Sequence, residues 1–119
     1  MGLELLRFTE LPENLKPGGL DHAAVYGGLG RLYVAHTAND SLELSGPPDV
    51  IFFSQRLRHL YVAIGDPGVV DVFETDRLTR IETIQTELGA HTIGFDAERN
   101  KIFAFLPKTH RVAAFLDRA

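Results

Sequence analysis

Residues 49–73 read DVIFFSQRLRHLYVAIGDPGVVDVF, and residues 91–115 read HTIGFDAERNKIFAFLPKTHRVAAF. The two stretches align three times over: Asp49-Val-Ile-Phe-Phe with His91-Thr-Ile-Gly-Phe, His59-Leu-Tyr-Val-Ala with Lys101-Ile-Phe-Ala-Phe, and Val69-Val-Asp-Val-Phe73 with Arg111-Val-Ala-Ala-Phe115. A third copy lies upstream in His22-Ala-Ala-Val-Tyr, Arg31-Leu-Tyr-Val-Ala and Ser41-Leu-Glu-Leu. Self-similarity at a fixed period marks a repeat architecture.

Each unit of the repeat has the chemistry of a strand. Leu32-Tyr-Val-Ala, Leu60-Tyr-Val-Ala and Ile102-Phe-Ala-Phe are short apolar runs rich in β-branched and aromatic residues, bounded by turn formers. Runs of this kind suit strands covered on both faces. Gly27-Gly28, Asn39-Asp40, Gly65-Asp66-Pro67-Gly68, residues 96–100 and residues 107–110 supply the turns. Connections this short favour antiparallel meanders. Residues 76–87 contain good helix formers, but Ile81, Thr83, Ile84 and Thr86 are β-branched and roughly alternate, so Arg80–Thr86 reads as a fourth strand. The second repeat is then a four-stranded unit, and one such unit separates Asp49 from His91. Four strands in about 40–45 residues is the period of a β-propeller blade, and this interval falls within it.

Here the chain resembles the YVTN (YncE-like) β-propeller repeat family. The resemblance rests on Arg31-Leu-Tyr-Val-Ala-His-Thr-Ala-Asn-Asp-Ser-Leu-Glu-Leu44, on His59-Leu-Tyr-Val-Ala63 and on residues 95–103, and it covers residues 18–117. It implies an all-β fold of propeller blades and says little about activity.

The repeat is incomplete. The interval from His22 to Asp49 is shorter than that from Asp49 to His91 by a strand and its connection, and the shortfall follows Leu44. The expected organisation is an incomplete blade over 18–45, a full blade over 46–88 and a three-stranded blade over 89–117. An N-terminal strand over 3–11 would complete the last of these, within the chain or between chains. The abrupt join at Ser45-Gly-Pro-Pro48 is compatible with natural degeneration or with an internal deletion in a longer propeller. Three blades cannot close a ring, since propellers need about 4–8. Open blade flanks would leave apolar faces wet, and such faces mark interfaces. A homodimer with six blades is the expected assembly, two-fold dimers being the commonest closed oligomers.

Composition narrows the function classes. The chain has 119 residues, a formal charge of −4 and a hydrophobic fraction of 45%. Nothing here provides the broad basic surface of a non-specific nucleic-acid binder. The chain has no cysteine, which removes disulfides, thiolate metal sites and Cys nucleophiles. The N-terminal residues do not read as a signal peptide and no stretch is long and apolar enough to span a membrane. The expected location is cytoplasmic.

Repeat alignment places His22, Asp49 and His91 at one position, the start of each blade's innermost strand, at the mouth of a propeller channel. Imidazole and carboxylate donors suit zinc or another divalent metal. Some propeller lyases and lactonases resemble this arrangement. The competing reading is structural, with polar residues bonded to neighbouring blades or channel water. The turns on the same face offer His36, Asn39, Asp66, Lys108 and His110 as a ligand rim, or as ordinary turn residues. Gly27-Gly-Leu-Gly30 lacks the following helix of a phosphate loop. Ser41 and Ser54 lack a nucleophile elbow. Arg56, Arg58 and His59 form a small basic cluster. The expected function is a non-enzymatic, self-assembling binding or structural scaffold without a cofactor. The alternative is a metal-dependent lactonase-like, lyase-like or small-ligand-binding propeller.

Overall fold

The computed structural model describes residues 2–10, 20–26, 31–36 and 44–118. In β1 and β2 it describes the side chains of Ala23, Ala24, Leu32 and Tyr33. All secondary structure among these residues is β. The strands are β1 (Leu20–Tyr26), β2 (Arg31–His36), β3 (Ile51–Ser54), β4 (His59–Ile64), β5 (Val69–Glu74), β6 (Thr79–Gln85), β7 (Ile93–Asp96), β8 (Lys101–Leu106) and β9 (Arg111–Leu116). They form three antiparallel sheets, β1-β2, β3-β4-β5-β6 and β7-β8-β9, each in chain order. The first strands of the sheets are neighbours, β1 beside β3 and β3 beside β7.

The internal repeat is strict in the second and third sheets. β3 and β7, β4 and β8, and β5 and β9 begin and end at one constant interval, the same that separates Asp49 from His91. The turns repeat as well. Among the described residues five hairpins use four-residue turns, and each ends on a residue with positive φ: Arg58, Gly68, Leu78, Asn100 and His110. That left-handed residue matches the twist of the flanking strands. Only Gly68 has no alternative, because a Cβ there would strike the backbone of Glu87.

The apolar runs are explained by the packing. The middle sheet lies between the other two, so both of its faces are covered and β4 is buried at every residue. Leu60, Val62 and Ile64 join Ile51, Phe53, Val69 and Phe73 in a cluster that Ala24, Tyr33 and Leu44 pack against. The alternate residues Tyr61 and Ala63 join Val50, Val70 and Val72, and they meet Ile93, Ile102 and Ala104 of the third sheet. Tyr33 contacts Phe53 at 5.6 Å between ring centroids, and Phe95 contacts Tyr61 at 5.4 Å and Phe52 at 6.1 Å. Each such aromatic contact adds about 0.5–1.5 kcal/mol to the burial itself.

Arg80–Thr86 was expected as a strand, and β6 occupies Thr79–Gln85. Residues 3–10 have no sheet partner among the described residues of this chain, and Leu3, Leu5, Leu6 and Phe8 are exposed. Of the strand expected at Ser41–Leu44, only Leu44 falls among the described residues, and it packs on the core outside any strand.

Candidate functional site

The structure positions the expected residues unevenly. His22 lies in β1, at a register shift between Leu20 and Ala23, so it has no one-to-one counterpart in the other sheets. Elsewhere in β1 the correspondence with β3 is clear, since Val25 opposes Leu32 as Phe53 opposes Leu60. Matching Val25 to Phe53 offsets His22 from Asp49, so the sequence alignment slips by one position there. The side chain of His22 lies outside the described ones. Asp49 and His91 each precede their strand by two residues, as the alignment requires. The His91 Nδ1–H donates to the Gly89 carbonyl at 2.9 Å, which leaves Nε2 as the available ligand atom. Among the described residues no group of three or more His, Asp or Glu side chains is placed to hold a metal.

Three of the rim residues, Asp66, Lys108 and His110, occupy turns. Asp66 lies in the β4–β5 turn, and Lys108 and His110 lie in the corresponding β8–β9 turn. His36 ends β2 opposite Leu20, and its side chain lies outside the described ones, as does all of Asn39. The two turns are tied through the connector from β6 to β7. Gly89 N donates to the Gly65 carbonyl at 2.7 Å, and Glu87 accepts from the amides of Lys108 and Thr109 and from the Thr109 hydroxyl. Slight desolvation would raise the Glu87 pKa, but the Thr109 and Lys108 bonds and the charge of Arg111 hold it below the usual value. His91 and His110 line one shallow cleft of about 470 Å³ with Arg111, Phe105 and Val112. This cleft lies on the flank of the third sheet facing away from the second.

The basic cluster separates. Arg56 donates to the Glu98 carbonyl at 3.2 Å, Arg58 pairs with Asp76 at 2.9 Å, and His59 turns into the protein.

His59 belongs to a constellation that sequence reasoning missed. It opens β4, and Tyr61, two residues on, shares its face. Both reach Asp117, just after β9. The Tyr61 hydroxyl donates to Asp117 Oδ2 at 2.6 Å, and His59 Nδ1 lies 2.6 Å from the same oxygen. Burial, then the bond to Asp117 and its negative charge, push the Tyr61 phenol far above its ordinary pKa. A cleft of about 480 Å³ opens beside this group, walled by Ile81 and Ile84 of β6 and by Phe115 and Leu116 of β9. Chemically, the carboxylate orients the imidazole and holds the phenol protonated. Mechanically, it latches the second sheet to the third. Partners so distant along the chain gave no motif to find.

A fully buried carboxylate ties the first linker to the middle sheet. Asp71 in β5 accepts from the amide and hydroxyl of Ser45 and from the Thr83 hydroxyl, all at 2.8 Å. Arg80 lies 3.6 Å away and donates to the Ser45 hydroxyl at 3.0 Å. Ser54, considered as a nucleophile, accepts the Leu57 amide within its own turn.

No protein-family model matches the chain, and no curated protein matches it in sequence. The class of protein therefore rests on the fold: an all-β chain of antiparallel sheets stacked face to face.

Proposed function

We propose that this chain is a three-bladed portion of a YVTN-like β-propeller, and that two copies close one six-bladed ring used as a binding or structural scaffold. A single observation carries the reading. Each terminal sheet exposes the face whose counterpart in the middle sheet is buried. On the third sheet, Phe105 and Val112 are 45% and 53% exposed, while their equivalents one repeat earlier, Ala63 and Val70, are 0% and 1% exposed beneath the third sheet itself. On the first sheet, Leu32 is 62% exposed, while its equivalent Leu60 is 3% exposed beneath the first sheet. The two open faces thus have the character of the two sides of an interface that the chain already makes internally.

An apolar face of this kind is stabilised by burial at roughly 25 cal/mol per Å². A contact between unlike faces runs head to tail and yields a ring if it closes. Two copies would supply six blades, within the range of about 4–8 that closed propellers use.

Light scattering on the eluting protein tests the reading. A particle of twice the 13.2 kDa chain mass is expected at micromolar concentration. A folded monomer across that range would overturn it.

A further inference from the structure

We infer that Leu3–Arg7 of a second copy adds to the edge of β9 as the fourth strand of the third sheet. The inference rests on the self-association proposed above, and it assigns a specific segment and register to it.

Three observations support it. First, the N-terminal segment resembles β6 in its pattern of apolar and polar residues. Leu3-Glu-Leu-Leu-Arg7 parallels Ile81-Glu-Thr-Ile-Gln85, and Thr9-Glu-Leu11 parallels Thr86-Glu-Leu88 after one inserted residue, Phe8. Second, the receiving edge is open. Among the described residues β9 pairs only with β8, whereas its equivalent β5 pairs on both sides. The cleft between β6 and β9 lies where the side chains of a further strand would enter. Third, chain direction identifies the donor. In this fold an outer strand leads into the first strand of the next sheet, as β6 leads to β7. A β6-like segment leading into β1 therefore belongs to the sheet on the far side of the first sheet. In the closed ring that is the third sheet of the second copy.

The repeat sets the register. In the middle sheet Val69, Val70, Asp71 and Val72 oppose Gln85, Ile84, Thr83 and Glu82. Carrying this pairing forward by one repeat, from β5 to β9, puts Arg7 opposite Arg111, Leu6 opposite Val112, Leu5 opposite Ala113 and Glu4 opposite Ala114. Leu6 and Val112 extend the apolar flank, while Leu5 joins Ala113 on the face toward the second sheet. Arg7 and Arg111 are like charges, and Glu87 already acts on Arg111. Thr86 bonds to Gly68 across the β5–β6 ladder, so by alternation Asp71 and Thr83 form a narrow, non-hydrogen-bonded pair. Their side chains touch at 2.8 Å. Leu5 and Ala113 inherit that geometry, which suits a disulfide.

The chain has no cysteine, so crosslinking reads this contact directly. Full-length Leu5→Cys and Ala113→Cys chains are refolded together and oxidised. A covalent heterodimer is expected, forming at least about tenfold faster than with Leu6→Cys in place of Leu5→Cys, whose side chain would face the other way. The pair Arg7→Cys and Arg111→Cys, at exposed positions, repeats the test should Ala113→Cys disturb folding. A Leu5→Cys/Ala113→Cys chain that closes a disulfide on itself and stays monomeric overturns the exchange between copies. Absent or register-independent crosslinking in a protein that light scattering shows to be dimeric overturns the strand addition and leaves self-association standing. Absent crosslinking in a monomer overturns both.

Discussion

Tyr61 serves two sheets at once. Its ring packs between Phe95 and His59, and its hydroxyl binds Asp117 beyond the end of β9. Because the folded-state pKa is raised above the ordinary 10.0, its contribution to stability is fully present below pH 10. Above that pH the unfolded chain releases the proton while the folded chain keeps it, so stability falls by up to about 1.4 kcal/mol per pH unit from this group. Tyr61→Phe is expected to cost about 2 kcal/mol at pH 8, from the lost hydrogen bond to a charged acceptor. The same variant should lose less stability than the parent between pH 9 and pH 11. Urea midpoints across that range measure both effects, and Tyr26 and Tyr33 cancel in the comparison. A difference between parent and variant that does not change with pH would show that the phenol is not held by this latch.

At the level of elements, the connection from the first sheet to the second depends on Asp71. The carboxylate is buried, and its donors come from the linker at Ser45 and from β6 at Thr83 and Arg80. Its equivalent in the third sheet is Ala113, where no such linker crosses among the described residues. Asp71→Ala removes three hydrogen bonds to a charged acceptor, from donors that are themselves exposed or half-buried. At about 1 kcal/mol or more for each bond, it should destabilise the protein by about 3 kcal/mol. Thermal or chemical denaturation measures this, and a cost below about 1 kcal/mol would mean the linker is held by packing of Leu44 alone. The hairpins show a related economy. His110 and Arg58, which look like functional cations in the sequence, end tight turns in left-handed conformations matched by Gly68, Leu78 and Asn100.

At the scale of the whole molecule, the unequal treatment of equivalent faces is the dominant fact. The middle sheet is covered twice and each terminal sheet once. A charge placed on the open flank of the third sheet should block assembly while leaving the fold intact. Val112 is half exposed in the single chain, so Val112→Glu meets solvent there, whereas in the closed ring it would be buried without a partner. The variant is expected to run at the monomer mass with unchanged far-ultraviolet circular dichroism. A dimer of undiminished affinity would place the interface elsewhere.

The repeat, its period and the strand character of residues 80–86 were legible from local patterning. Strand and turn propensities act over a few residues, and each repeat states them again. The β-branched alternation at Ile81, Thr83 and Ile84 was enough to decide strand over helix. The rim turns carrying Asp66, Lys108 and His110 were legible for the same reason. The sites were much less so. The sequence alignment of β1 is one position out from Tyr26 onward, and the further register shift between Leu20 and Ala23 leaves His22 with no counterpart; side-chain types alone announce neither. The His59–Tyr61–Asp117 latch and the Asp71 hub join residues far apart in the chain, and their chemistry arises from burial that only packing creates. Local sequence thus set which segments become strands and how often they recur. The stacking of three sheets set which equivalent residues are covered, which carboxylates are drawn inward, and which faces stay exposed, because burial is a property of neighbours in space.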